Sequence, residues 1–377
     1  MEITDVSLIT HLSDIEDPRV DRTKLHKLID ILVIAICAVI CGADDWVEVE
    51  IFGKAKGDWF RKFLELPNGI PSHDTFGRVF ARIDPLQFQR SFMNWVQAVC
   101  ELTDGQVISV DGKELCGSKD GSLGKQAIEM VSAWASANQM VLGQQKVNDK
   151  SNEITAIPEL LEMLEVEGCI VTIDAIGCQT DIAQKIVDKG ADYVLALKEN
   201  QGRLYEDVEL AFADALKNGW QGIEHDYHQT EDSLHGRQEV RQCWTISGED
   251  YIRHLRGAAN WKNLRTIAMI VTERQNGEVK TLKSRYFITS LDNDARKLLW
   301  AKRTHWSIEN GLHWSLDIAF REDDCRVRKG NGAENLAILR HMALNLLKQE
   351  KSVRAGIKAK RHKAGWDENY LLKVLNG

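Results

Sequence analysis

From residue 105 onward the chain switches between two hydrophobic periodicities in a fixed order, and that order restricts the fold more than any single motif does. QVISVDG reads as a first strand, and IEMVSAWASA and MVLGQQKV as two more joined by a turn around Asn138. NEITAIPELLEMLEVEG reads as a helix capped near Ser151 or Asn152. Strand CIVTIDA, helix TDIAQKIVDKG, strand DYVLALK and helix NQGRLYEDVELAFADAL follow. A plain doubly wound sheet would not begin with a three-strand meander, so the order predicts a mixed sheet whose first and fourth strands are parallel neighbours.

This is the order of a ribonuclease-H-like core, an α/β mixed sheet flanked by helices. Residues 222 to 290 are again strand-rich, in HGRQEVRQCWTI and NLRTIAMIVTERQNGEVKTLKSRYFITSL, with a hairpin turn at Gln275-Asn276-Gly277. They interrupt the core before its last helices, which include KLLWAKRTHWSIENGLHWSLDIAF and NLAILRHMALNLLKQ. Residues 1–103 read as helical, with Asp84 and Pro85 as cap and first-turn proline of one helix and Ser72 as cap of another. The segment around Ser72 fits a small helix-turn-helix-like element for DNA, and equally an ordinary helical hairpin. The expected organisation is therefore a helical DNA-binding domain over 1–103 and a second domain over 104–377, with a β-rich insertion at about 222–290 and a basic tail from about 350.

Composition narrows the function classes. With 44% hydrophobic and 28% charged residues the chain buries an ordinary core. Its most apolar stretch, IDILVIAICAVICG at 29–42, carries Asp30 and falls short of the roughly 20 residues of a membrane helix, so a buried helix is expected and no membrane partner. The N-terminus lacks the pattern of a secretory signal, which predicts a cytoplasmic protein whose eight cysteines stay reduced. No CxxC pair occurs, and Cys37 and Cys41 fall in the apolar helix, so zinc is not expected. The net charge of -8 argues against a nucleic-acid partner on the total alone. Local runs run the other way, since KSVRAGIKAKRHK at 351–363 holds six Lys or Arg and no acid, and KGDWFRK at 56–62 is also basic.

Two apolar strands end on a carboxylate: VISV meets Asp111, and IVTI meets Asp174. Taken alone, Asp111-Gly112 is an ordinary turn signal. Parallel neighbouring strands would set the two acids side by side, where like charges repel unless a cation lies between them. Oxygen donors favour Mg²⁺ or Mn²⁺ there. A third acid is expected from a helix packed on that sheet edge. Glu309 is the candidate, four residues before His313 on the same helix side, and Asp317 is its rival. Three carboxylates holding two divalent ions make a phosphoryl-transfer site, with water or a DNA 3′ hydroxyl as nucleophile.

Asp111 in VISVDGKELCGS, Asp174 in IVTIDAIGCQTDIAQKI, ALKENQ, HGRQEVR and RTHWSIENGLHWSLDIAFREDDCRVRKGNGAENLAILRHMALNLL occur in that order, and together they closely resemble the H-repeat-associated, insertion-sequence-type DDE transposases. The resemblance implies Asp111, Asp174 and Glu309 as catalytic and metal-binding residues, and a ribonuclease-H-like fold with a β insertion. It also implies double-stranded DNA as partner, at element ends and target, with a homodimer assembled on DNA at the nucleoid. The wider group often carries Tyr, Arg and Lys around its third acid, where this chain has Lys302, His305 and Leu316. Phosphate contacts are then expected from Arg303, His305 or His313. Lys198 after its strand, Arg237 and Arg241 beside Glu239, and Arg326 and Arg328 after the third-acid helix are further candidates, although cross-strand pairing explains the Arg-Glu-Arg alternation equally well. Trp244 is read as a core residue or a base-stacking one. A nuclease of the same fold, or a decayed DNA-binding remnant, is the alternative to a working transposase.

Overall fold

The computed structural model describes residues 8–376 other than 120, 122, 123, 125, 149, 150, 235, 236, 277 and 278, and of Thr23, Leu234 and Arg237 the backbone alone. His235, Gly236 and Gly277 of the motifs above thus lie outside the described residues.

The N-terminal segment is helical: α1 (Leu8–Leu12), α2 (Leu28–Cys41), α3 (Trp46–Ala55), α4 (Gly57–Phe60), α5 (His73–Phe80) and α6 (Pro85–Val99). Asp84 caps α6 by accepting the Leu86 amide at 3.0 Å, as its sequence signal indicates. Helix α2 is buried from Asp30 to Ile40, which explains why it is apolar all round. Its neighbours include α13 (Gly332–Gln349) and α14 (Ile357–Trp366) from the far end of the chain, and a single apolar cluster runs from Leu8 to Leu375. Two cations of the basic 351–363 run serve this packing. Lys360 and Arg361 are buried, and Arg361 donates from Nε and Nη2 to the Val39 carbonyl near the C-terminus of α2 at 3.1 and 2.8 Å.

The central sheet has nine strands in the order β3-β2-β1-β4-β5-β9-β8-β7-β6. They are β1 (Val107–Leu115), β2 (Ile128–Ala135), β3 (Met140–Lys146), β4 (Ile170–Ile173), β5 (Asp192–Leu197), β6 (His225–Leu234), β7 (Arg237–Ile246), β8 (Thr266–Asn276) and β9 (Val279–Thr289). β1 pairs antiparallel with β2 and parallel with β4, and β4 parallel with β5. The five-strand half is the expected ribonuclease-H-like arrangement, with α7 (Glu153–Met163), α8 (Thr180–Asp188) and α9 (Gly202–Lys217) as its crossovers. The strand-rich insertion does not stand apart from it. β9 pairs antiparallel with β5, so β6 to β9 continue the same sheet. β6, HDYHQTEDSL, carries no apolar alternation because it is an edge strand, and periodicity alone does not reveal it.

The side-chain period of two fixes the layers. Val107 and Ile170 face α11 (Ala295–His305), while Ile108 and Val171 face the main core. Positions 107, 109, 111 and 170, 172, 174 therefore point toward α11. The single long helix expected from KLLWAKRTHWSIENGLHWSLDIAF is interrupted after α11. A π-helical turn, Glu309–His313, precedes α12 (Trp314–Phe320). The interruption coincides with a tight contact to β2: a Cβ on Gly311 would lie 2.7 Å from the ring of buried Trp134. The Trp134 indole donates to Ser307 Oγ at 3.1 Å, and that hydroxyl donates to Ser136 Oγ at 2.8 Å. Trp134 thus holds the chain on both sides of Glu309. α10 (Glu249–Arg253) and α15 (Glu368–Leu375) complete the helices named here.

Candidate active site

Asp111 and Asp174 follow the last residues of the parallel ladder, Val110 paired with Ile173. The two chains part at that point. Asp174 leaves the sheet and caps a short 3₁₀ turn, its Oδ1 accepting the Ile176 amide at 3.0 Å. Asp111 does not end its strand, contrary to the expectation from sequence, because β1 stays paired with β2 as far as Leu115. Gly112 is accordingly not a turn glycine. It is bare because a Cβ there would collide with the Glu153 carboxylate, which reaches in from the first turn of α7. The loop carrying Asp174 is braced by Asn200, whose Nδ2 donates to the Ala175 carbonyl at 2.8 Å, which gives the ALKENQ segment a local role.

Asp111, Asp174 and Glu309 line one cavity of roughly 460 Å³, together with Lys198, Arg285, Lys302, His305 and Trp306. Burial pushes the Asp111 carboxyl up to about 7, and the charges of Asp174 and Glu309 push in the same direction. His313, 5% exposed, presents Nδ1 to Glu309 Oε2 at 3.1 Å and to Asp111 Oδ2 at 3.8 Å. One ligand atom each from Asp111, Glu309 and His313 falls within a 4.8 Å group. Uncompensated acids beside a convergent donor set fit a hard divalent cation. The rival acid Asp317 is engaged elsewhere, since Lys113 Nζ sits 2.8 Å from it, 3.0 Å from Asp323 and 3.7 Å from Glu322.

The same cavity is also lined by cations. Among the described residues Lys198, Arg285 and Lys302 have no carboxylate partner within ion-pair distance, and Lys302 lies 5.9 Å from the centre of the Trp306 ring. Burial, with Arg285 next in effect, brings the Lys302 ammonium down to about 8.

Two family models match the chain, one described as DDE_Tnp_1-associated over residues 9–96 and one as Transposase DDE domain over residues 102–346. The chain belongs to the DDE transposase family. It is 43% identical to "Putative transposase YncI" of Escherichia coli O157:H7, over 98% of this chain and 94% of the relative. It is 42% identical to "H repeat-associated putative transposase YhhI" of Escherichia coli K12, over 98% of each. A solved piggyBac transposase synaptic complex with hairpin DNA aligns over 97% of this chain and 77% of its own at 12% identity and TM-score 0.40. That score is too low to bear on the fold, which rests on the strand order above.

In this DDE transposase-family chain the other residues singled out from sequence lie in different surroundings. Lys198 and His305 line the cavity, but His305 bonds through Nδ1 to Thr172 Oγ1 at 3.0 Å and burial brings it down to about 4, so it is neutral. Arg241 and Arg303 are engaged in ion pairs: both pair with Asp232, and Arg241 also pairs with Glu239 at 2.8 Å. His313 is turned inward and offers nothing to a phosphate. Arg326 is exposed, whereas Arg328 donates from Nε to the Gly117 carbonyl at 3.0 Å. Arg237 belongs to β7, and its side chain lies outside the described residues. Trp244 is half-buried, stacked on Trp220 and tilted against Tyr227.

Sequence reasoning passed over Lys113, Arg285 and Glu153 and gave Lys302 no role. Lys113 was within reach, being two residues from Asp111 and so on its face. Lys302 precedes His305 by one helical turn. Arg285 shares a strand face with buried Phe287, but only the pairing of β9 with β5 brings it to the site. Glu153, pushed up by burial and by sharing a hydrogen bond with Glu129, gives no local signal.

Proposed function

We propose that this chain is a metal-dependent DNA transposase that cuts DNA at insertion-sequence ends and joins the freed 3′ ends to target DNA. The observation that carries the reading is the convergence of Asp111, Asp174 and Glu309 on one cavity, while the neighbouring acid Asp317 is neutralised. Asp111, Asp174 and Glu309 would hold Mg²⁺ or Mn²⁺. Such ions, when bound, polarise the phosphodiester and orient attacking and leaving oxygens in line.

The chain's own groups supply the rest. Asp174 is fixed by the Ile176 amide and by the bracing of its loop from Asn200, so its carboxylate is preorganised. Lys198, Arg285 and Lys302 face the acids without carboxylate partners and are the natural contacts for the DNA backbone, with exposed Arg326 as a further one. Helices of the 1–103 segment would recognise the element ends. Two ends require two protomers, so a dimer assembled on DNA, in the cytoplasm at the nucleoid, is the working state. Among the described residues no helix is long and apolar enough to cross a membrane.

A paired-end strand-transfer assay with Mg²⁺ or Mn²⁺ tests the reading. Joined products from the wild type and none from Asp111→Asn are the expected outcome. Cleavage without joining would assign the fold to a nuclease. Binding of the cognate ends without any cleavage would make the chain a non-catalytic DNA binder.

A further inference from the structure

Building on the assignment of Asp111 and Glu309 to a divalent ion, we propose that Nδ1 of His313 is a direct ligand of the same ion, making this a site with one nitrogen donor. His313 closes the π-helical turn that Glu309 opens, and both side chains converge on Asp111. The donor spacings from Nδ1, 3.1 Å to Glu309 Oε2 and 3.8 Å to Asp111 Oδ2, are short enough for one ion to be shared among the three groups. Adjacent donors of an octahedral ion with bonds of about 2.1 Å stand about 3.0 Å apart, and opposite donors about 4.2 Å.

The competing view makes His313 a purely structural partner of Glu309. In that case the proton sits on Nδ1, and Nε2 becomes a buried acceptor. Among the described residues Nε2 of His313 has no hydrogen-bond partner. The ligating tautomer carries its proton on Nε2 and leaves Nδ1 free for the ion, as metal-bound imidazoles do. A nitrogen donor also favours Mn²⁺ over Mg²⁺, because hard Mg²⁺ takes oxygen almost alone.

The test uses the full-length, untagged chain with Mn²⁺ alone, read by binding titration and by pulsed EPR. The expected result is nitrogen modulation on the bound Mn²⁺ that changes on ¹⁵N-histidine labelling. It should disappear in His313→Gln, with Mn²⁺ affinity falling about 10-fold or more and Mg²⁺ affinity falling less. Mn²⁺ binding that depends on Asp111 but shows no nitrogen modulation would overturn the inference and leave the carboxylate site standing. Failure of the wild type to bind Mn²⁺, or binding untouched by Asp111→Asn, would overturn the carboxylate reading and the histidine ligand with it. The labelling measurement needs no variant, so a misfolded His313→Gln would not decide the matter.

Discussion

Asp111 and Lys113 stand two residues apart on one face of β1, and the segment packed opposite treats them in opposite ways. Around Lys113 the acids have cations within reach: Asp317, Glu322 and Asp323 surround one ammonium, and Arg340 lies 3.5 Å from Glu322 behind them. Around Asp111 the charges add up, since Asp174 and Glu309 both make its ionisation harder. A fold gains nothing from clustering acids without a counter-ion. The contrast separates a junction that holds the segment around α12 on β1 from the site proposed above for a divalent ion.

The largest effect expected from breaking this contrast falls on the unanswered side. Asp111→Asn should lower strand cleavage by about 10²- to 10³-fold or more, as loss of a group acting on the transition state does, read in the paired-end assay. It should also remove a pH dependence. The folded carboxyl titrates near 7 against an unfolded value of 3.8, so between the two the native state holds the extra proton. Stability of the metal-free protein therefore falls as pH rises from about 4 to about 7. Denaturant melts of wild type and Asp111→Asn across that window should converge at the acid end and separate near pH 7, with the variant the more stable. Parallel curves would refute the uncompensated-charge account.

On the answered side the effect is structural. Lys113→Met leaves Asp317 and Asp323 without their cation and Glu322 with Arg340 alone, and should cost about 2–3 kcal/mol in urea unfolding. This is less than the roughly 3–5 of a fully buried pair, because solvent reaches Asp317 and Asp323. If Lys113→Met matched Asp111→Asn in abolishing cleavage at unchanged stability, the division between the two halves of the face would fail.

What could be read in advance follows the same division between local and distant. The side-by-side placement of Asp111 and Asp174 was legible because it needs only strand periodicity and the order of elements. That Lys113 would neutralise Asp317 and spare Glu309 was half legible: strand alternation gives the face, but no local rule says which helical turn meets it. The π-helical turn was not legible, since it coincides with a contact to Trp134, more than 170 residues earlier and pressed against Gly311. Charge pairing of Arg241 was one of two readings of its strand, but the pairing of both Arg241 and Arg303 with Asp232 was not legible. Their partner Asp232 lies on a polar edge strand without the alternation that betrays buried strands.

Gly311→Ala probes that hidden contact. A methyl group 2.7 Å from the indole must push the helix outward or tilt Trp134, at about 1–3 kcal/mol for overpacking. Since Ser307 and Gly311 flank Glu309, the variant should weaken Mn²⁺ binding more than its modest destabilisation explains, which titration at a temperature well below Tm would show. Unchanged affinity would mean that Trp134 packs the helix without placing its acid.

The smallest predicted effect distinguishes two arginines of similar appearance in the sequence. Arg303 shares Asp232 with Arg241, and such exposed pairs contribute little to stability or binding. Arg285 lines the cavity and has no carboxylate partner among the described residues. A cation that neutralises one phosphate contributes about 0.9 to the slope of log affinity against log salt for duplex DNA. Arg285→Ala should therefore lower that slope by about 1, with a uniform loss across sequences. Arg303→Ala should change the slope less, because its guanidinium is already engaged by Asp232. Equal losses from the two substitutions would mean that Asp232 releases Arg303 when DNA arrives, and the cationic wall would then extend along β6 and β7.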